Sequence, residues 1–363
     1  MLPSLGAHLG VPGCTDVLDL PRVRRYGVLL IDGLGAGLLA QAHAADPGLA
    51  PTLAGLAAAR PALVAGFPST TPTSLGSLVT GLPPGRHGLV GFQAIVPDPE
   101  RVMNLLHWDA KVDPLAFQPY PTMFERAERA GVRVTTVGPR AFRGSGLTLA
   151  GLRGGQHRGA DSLGELVAGM AALLAEPGPS LVYGYHADLD ATGHRNGCAS
   201  PQWRAQLAVV DRVVEALLAS LPRGACLIVT GDHGMVDVPV GNRIDLAAEP
   251  ELMAGVALVS GEPRVTALRA RPGAEADLLA TWRERLDPRD WLVLGVPEAV
   301  ESGLYGPVDE GVAERIGDVL AVALGPVACM HSGLMPAHLL ALVGMHGSVG
   351  AAEREVPLLL ALG

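Results

Sequence analysis

The stretch Cys226-Leu-Ile-Val-Thr-Gly-Asp-His-Gly-Met235 constrains the fold more than any other part of this chain. Cys226 to Val229 is an apolar run with the signature of a buried strand, and it stops in Gly-Asp-His-Gly, where glycines let the backbone turn. Asp232 and His233 therefore stand at a strand end. In an α/β protein, a carboxylate oxygen and an imidazole nitrogen placed there side by side can grip one divalent metal. The dipeptide alone has a plain structural reading, an Asp capping a turn beside a solvated His, so further ligands must come from elsewhere in the chain.

The same pattern recurs. Tyr26-Gly-Val-Leu-Leu-Ile is a strand that ends in Asp32, followed by Gly-Leu-Gly-Ala-Gly. The spacing is not Gly-x-Gly-x-x-Gly, and an acid at the strand tip would repel a pyrophosphate, which argues against a dinucleotide site. Ser180 to Tyr185 is another strand, and His186-Ala-Asp-Leu-Asp-Ala-Thr-Gly-His194 follows it. Asp190 and His194 there offer a second carboxylate and imidazole, with His186 and Asp188 as nearby alternatives. A last strand from His338 to Met345 delivers His346 at its end, whereas His331 and His338 lie at or before its start.

Between these strands the chain alternates with helices. Thr122-Met-Phe-Glu125 and Ser162-Leu-Gly-Glu165 have the capping-box pattern, and Arg204 to Leu221 is amphipathic. The alternation predicts an α/β fold, a mostly parallel central sheet flanked by helices, as one core over residues 1–363. From Asp237 to about Met330 the apolar pieces shorten, which predicts a small α/β lobe inserted at 237–330 and able to cover the site.

Composition limits the function classes. Hydrophobic residues make up 48% and charged residues 17%, enough for a packed core and against disorder. A net charge of -9 offers no general footprint for a nucleic acid polymer or an anionic membrane. Four scattered cysteines make no disulfide framework, and no apolar run is unbroken enough for a membrane span, so the expected compartment is the cytoplasm.

Thr71 precedes Pro72 and an apolar-periodic run through Leu75, Leu78 and Val79, the pattern of an N-cap. That is a complete structural reason for it. A hydroxyl at a helix N-terminus also faces free backbone N–H groups, where a phosphoryl anion is held. Asp32, Asp190 with His194, Asp232 with His233, and His346 all fall just beyond strands, which in a parallel sheet brings them to one edge. Three carboxylates and three imidazoles make two three-ligand sites. Each leaves an open position, as in catalytic metal centres, and a pair of metals can hold both oxygens of an in-line phosphoryl displacement.

These stretches together resemble the alkaline phosphatase superfamily, and within it the type I phosphodiesterase / nucleotide pyrophosphatase family. The matching segments are Leu-Leu-Ile-Asp-Gly, Phe-Pro-Ser-Thr-Thr-Pro, Val-Thr-Gly-Leu-Pro-Pro-Gly-Arg-His-Gly, Asp-x-x-Gly-His, Thr-Gly-Asp-His-Gly-Met, and the late His-Gly followed by Val-Pro-Leu. The resemblance implies that Asp32, Asp232 and His233 bind one metal with the nucleophile Thr71, while Asp190, His194 and His346 bind the other. It implies two divalent ions, zinc first, with manganese or iron nearly as suitable. Ser74 stands where the family is expected to carry an Asn that helps hold the phosphoryl oxygen. No Cys-x-Pro-x-Arg accompanies the cysteines, which argues against a sulfatase. The expected function is hydrolysis of a small-molecule phosphate ester, a phosphodiesterase or nucleotide pyrophosphatase. The alternatives are a phosphomonoesterase, a phosphonate hydrolase such as phosphonoacetate hydrolase, or a non-catalytic phospho-ligand binding protein.

Overall fold

The computed structural model describes residues 1–57 and 60–363. Its central sheet has six strands, β1 (Arg25–Ile31), β2 (Arg133–Gly138), β3 (Gln156–Gly159), β4 (Ser180–His186), β5 (Ala225–Thr230) and β6 (Leu359–Leu362). Their spatial order is β6-β5-β1-β4-β2-β3, and only β6 runs antiparallel. A parallel sheet covered on both faces needs strands that are apolar throughout, and Tyr26 to Ile31 and Ala225 to Thr230 are buried at every position.

Five helices position the site: α1 (Thr71–Thr80), α2 (Met123–Arg129), α3 (Leu163–Ala175), α4 (Asp188–Asn196) and α5 (Pro201–Ala219). Alternate strand residues feed two cores. Leu29, Ile31, Val182 and Val229 pack against Met170 of α3 and Leu207 and Val214 of α5. Val28, Leu30, Tyr183 and Ile228 pack on the other face against Val79 of α1 and Phe124 of α2. Each such side chain contributes about 2 kcal/mol by leaving water, which offsets the cost of burying acids at the sheet's edge.

A second sheet, antiparallel, takes the order Val256–Glu262, Val265–Ala270, Val319–Ala323, Trp291–Gly295. The helix Glu275–Arg285 covers one face through Leu278 and Trp282. The other face shares its core with Phe67, Leu89, Ala94 and Leu105, and the buried Arg264–Glu353 pair, 2.6 Å apart, ties this sheet to the C-terminal segment.

Two local expectations give way. Instead of a strand from His338 to Met345, the chain forms a short helix, Ala337–Leu340, and a two-residue strand, Gly344–Met345, paired with Val236–Asp237. The apolar run His338-Leu-Leu-Ala-Leu-Val cannot distinguish a helix from a strand over so few residues. Thr71 is also not the N-cap of α1. Thr70 holds that place, with no side-chain bond, and Thr71 is the first helical residue with Pro72 behind it. The capping box at Thr122 and Glu125 forms in full, whereas Glu165 turns its carboxylate to the Asp161 N–H and Arg140.

Candidate metal centre

Register decides which residues meet. Ile31 pairs with His186 and Leu30 with Thr230, so the chain leaves β1, β4 and β5 at one level and carries Asp32, α4 and Asp232 to the same edge. The turn after β1 depends on Gly33, at φ +73°, where a Cβ would stand 2.9 Å from the Asp190 Cα. Its N–H donates to Asp232 Oδ1. Asp190 and His194 lie four residues apart on α4 and so share one helix face.

The six residues form two clusters, Asp32 with Asp232 and His233, and Asp190 with His194 and His346, each with its ligand atoms within 4.8 Å of one another. The clusters adjoin, because the His233 and His346 rings stack at 3.6 Å between centroids. Each imidazole is oriented from behind. His233 Nδ1 donates to the Gly234 carbonyl, His194 Nδ1 to Gly344 and His346 Nδ1 to Ser69. Those bonds fix the tautomer and leave every Nε2 with a lone pair facing a carboxylate.

The resulting distances are those of corners around a shared ion. His233 Nε2 lies 3.4 Å from Asp32 Oδ1 and 3.6 Å from Asp232 Oδ2, and His194 Nε2 lies 3.3 Å from Asp190 Oδ2. Ligands about 2.1 Å from a tetrahedral ion stand about 3.4 Å from each other. The Thr71 hydroxyl lies beside this cluster, 3.3 Å from His233 Nε2. Asp32 Oδ1, Asp190 Oδ1 and Asp232 Oδ2 are buried with no hydrogen-bond partner, which a fold tolerates poorly unless a cation satisfies them. Burial, then the charges of Asp232 and Asp190, hold the Asp32 carboxyl well above the usual carboxylate range. Burial raises Asp190 and pushes His346 well below the ordinary imidazole value. Divalent cations reverse this balance, so the donor set fits a pair of them.

The sequence model of the type I phosphodiesterase / nucleotide pyrophosphatase family matches residues 27–349. The chain belongs to this family. Its members are metal-dependent phosphoric ester hydrolases, and the protein is an enzyme of that class. Human ectonucleotide pyrophosphatase/phosphodiesterase family member 7 is 37% identical over 86 residues, a stretch spanning 22% of this chain and 19% of that one. The fold is similar to murine ectonucleotide pyrophosphatase / phosphodiesterase 5, with TM-score 0.74 and 21% identity over 93% of this chain and 87% of the other. It is also similar to phosphonoacetate hydrolase from Sinorhizobium meliloti 1021, with TM-score 0.71 and 20% identity over 94% and 90%.

In this phosphodiesterase-family chain a cavity of about 560 Å³ opens beside Thr71, Asp32, Asp190, His194 and His346. Among the described residues none from 237–330 lines it, so the inserted stretch supplies no wall. The walls come from segments that follow β2 and from the chain around Phe92 and Leu106. Ser74 is likewise elsewhere. Its buried hydroxyl lies in a separate cavity of about 170 Å³ with Thr230 and Asp232, one helical turn behind Thr71. His186 accepts from Gln206 rather than joining a cluster, and Asp188, His331 and His338 also stay outside both. Arg86 pairs with Asp309, Arg153 with Glu125, and His87 is buried, bridging Ser77 and the Leu89 N–H.

Sequence reasoning did not mark Tyr185, whose hydroxyl donates to Asp32 Oδ2, or the wall residues Phe142 and Leu147. One signal was available. Loops that follow parallel strands line the site at the carboxyl edge, and residues 139–152 follow β2.

Proposed function

We propose that the protein is a two-metal phosphodiesterase with Thr71 as nucleophile. Asp32, Asp232 and His233 hold one divalent ion with Thr71, and Asp190, His194 and His346 hold the other, with zinc the first choice for mixed imidazole and carboxylate donors. The observation that carries this is the Thr71 hydroxyl 3.3 Å from His233 Nε2 of one three-residue cluster, with the second cluster stacked against it. A structural relative points the same way: an inactive variant of the murine protein, with a threonine replaced by alanine, is found in complex with AMP.

A bound pair of ions supplies Lewis acidity that favours the Thr71 alkoxide and neutralises charge on the phosphoryl oxygens. Thr71 Oγ1 then bonds to phosphorus as the ester bond opposite breaks, its proton passing to solvent and the leaving alkoxide taking one up. Water reverses the exchange, cleaving the phosphothreonine to release a monoester and restore the hydroxyl. Thr71 is freed for this because it caps nothing, and its own N–H, at the first position of α1, has no helical carbonyl to bond.

A diester is favoured over a monoester by charge. Among the described residues no Arg or Lys lines the cavity, and the extra negative charge of a monoester dianion normally calls for one. Four unpaired cysteines, three of them buried, support a reducing, cytoplasmic setting. Among the described residues no helix is long and apolar enough to cross a membrane.

The test is elemental analysis together with kcat/KM for bis-p-nitrophenyl phosphate, p-nitrophenyl phosphate and phosphonoacetate. About two metals per chain and a diester preference of at least about tenfold are expected, a discrimination of about 1.4 kcal/mol. Thr71→Ala should keep its metal while turnover falls by about three orders of magnitude or more. No bound metal and no activation by zinc or manganese would sink the reading.

A further inference from the structure

From the walls of the cavity beside Thr71 we infer the chemical class of the substrate's organic group: it is uncharged and predominantly apolar. The inference rests on the phosphodiesterase reading and adds what that reading leaves open. The cavity, about 560 Å³, is of the size that encloses a small-molecule ligand. Beyond the metal clusters the lining holds no Arg, Lys, Asp or Glu, and its further imidazoles are His107 and His157, the latter with a buried, unpartnered Nε2. Asp32 and Asp190 are the acids among its lining residues, and both belong to the clusters. The walls are Phe92, Leu106, Phe142, Leu147, Leu152 and Tyr185, with neutral polar groups such as Thr136 and Ser145 between them.

Two of these walls are unusual for a surface. Leu106 is 47% exposed and Phe142 is 42% exposed, and both stand at the same cavity. An exposed apolar side chain costs solubility and needs no explanation singly, but two converging on a reactive centre mark a contact for an apolar ligand. Phe142 also packs against Tyr185, ring centroids 5.9 Å apart, so the rim residue is continuous with the side chain that holds Asp32. Arg86 is engaged with Asp309 and Arg153 with Glu125. The lining therefore holds no Arg or Lys to pair with a carboxylate or a further phosphate on the organic group, whose desolvation among largely apolar walls is unfavourable. Nucleoside polyphosphates and phosphonocarboxylates are rejected on this ground, while a ring or chain without charge gains by leaving water.

Phosphonates carrying different organic groups test this directly, because a phosphonate anchors at the metals without a cleavable ester and its organic group must occupy the cavity. Inhibition of bis-p-nitrophenyl phosphate hydrolysis by the zinc-loaded enzyme is measured at pH 8, where histidines are neutral, with phenylphosphonate, 4-carboxyphenylphosphonate, phosphonoacetate and methylphosphonate. Phenylphosphonate is expected to bind at least tenfold tighter than its carboxylate analogue. Leu106→Arg and Phe142→Arg, both at exposed positions, should narrow or invert that ratio, each ratio being normalised to methylphosphonate inhibition of the same variant, which reports on the metal centre. Equal inhibition by the neutral and carboxylate forms, or an unchanged ratio in both variants, would overturn the inference and leave the phosphodiesterase reading standing. Absence of any ester hydrolysis by the metal-loaded wild type would instead bring down the reading on which it rests.

Discussion

Tyr185 shows how one hydroxyl can orient a carboxylate of the candidate metal centre. By donating to Asp32 Oδ2 it leaves Oδ1, buried and unpartnered, as the oxygen directed at the cluster. Such orienting bonds are worth about 10- to 100-fold in metal affinity. Tyr185→Phe keeps the ring against Phe142 and deletes only the hydroxyl. Competition with a zinc chelator should show one of two ions released about 10- to 100-fold more readily, with the Asp190 cluster unchanged. Equal retention of both ions in the variant would show that Asp32 needs no such help.

At the scale of elements, the site is assembled by the turns that follow parallel strands, and the tightest of them is the one after β1. Gly33 combines a positive φ with backbone contact to α4, so a methyl there would strain the turn and push on Asp190 at once. Gly33→Ala is expected to cost about 1 to 3 kcal/mol in stability and to weaken metal binding at both clusters together. Urea unfolding of the metal-free protein, followed by metal titration, separates the two effects. The same logic explains α4: its helical geometry, rather than the spacing of an extended loop, turns Asp190 and His194 to one side. His346 arrives differently, from a two-residue strand anchored to Val236–Asp237 outside the central sheet.

For the whole molecule, two buried titratable groups that belong to neither cluster, His87 and Glu262, set opposing pH dependences, although Glu262 packs beside Thr70 and Gly347 at the site's back. Burial, with Arg315 nearby, lowers His87 from about 6.5 to about 3, and burial raises Glu262 from about 4.5 to about 8. For His87 the unfolded chain binds the extra proton, so its contribution is complete above pH 6.5 and lost as pH falls toward 3. For Glu262 the folded chain binds it, so its contribution is complete below pH 4.5 and lost as pH rises through 8. Each slope is about 1.4 kcal/mol per pH unit, so they cancel between 4.5 and 6.5 and leave a decline from 6.5 to 8. Glu262→Gln should abolish that decline and uncover the His87 slope below pH 6.5. Urea midpoints from pH 4.5 to 8 for both proteins check it, the difference between them removing the contribution of the metal ligands.

What the sequence determined by itself is whatever is local and repeated. Apolar runs of five or six residues ending in Asp32, in Asp232 with His233, and before Asp190 fix the strands, their parallel alternation and the edge at which the ligands gather, because strand burial and turn chemistry act over a few residues. Tertiary structure decided the rest. Whether Thr71 caps α1 or begins it depends on how the chain enters from Phe67 to Thr70, and whether His338 to Met345 is strand or helix depends on a partner strand more than a hundred residues away. The partition into two clusters, the carbonyls that orient each imidazole, and the largely apolar walls around Phe142 and Leu106 all arise between segments distant in the chain. Such contacts are set by packing, which periodicity and local spacing do not encode.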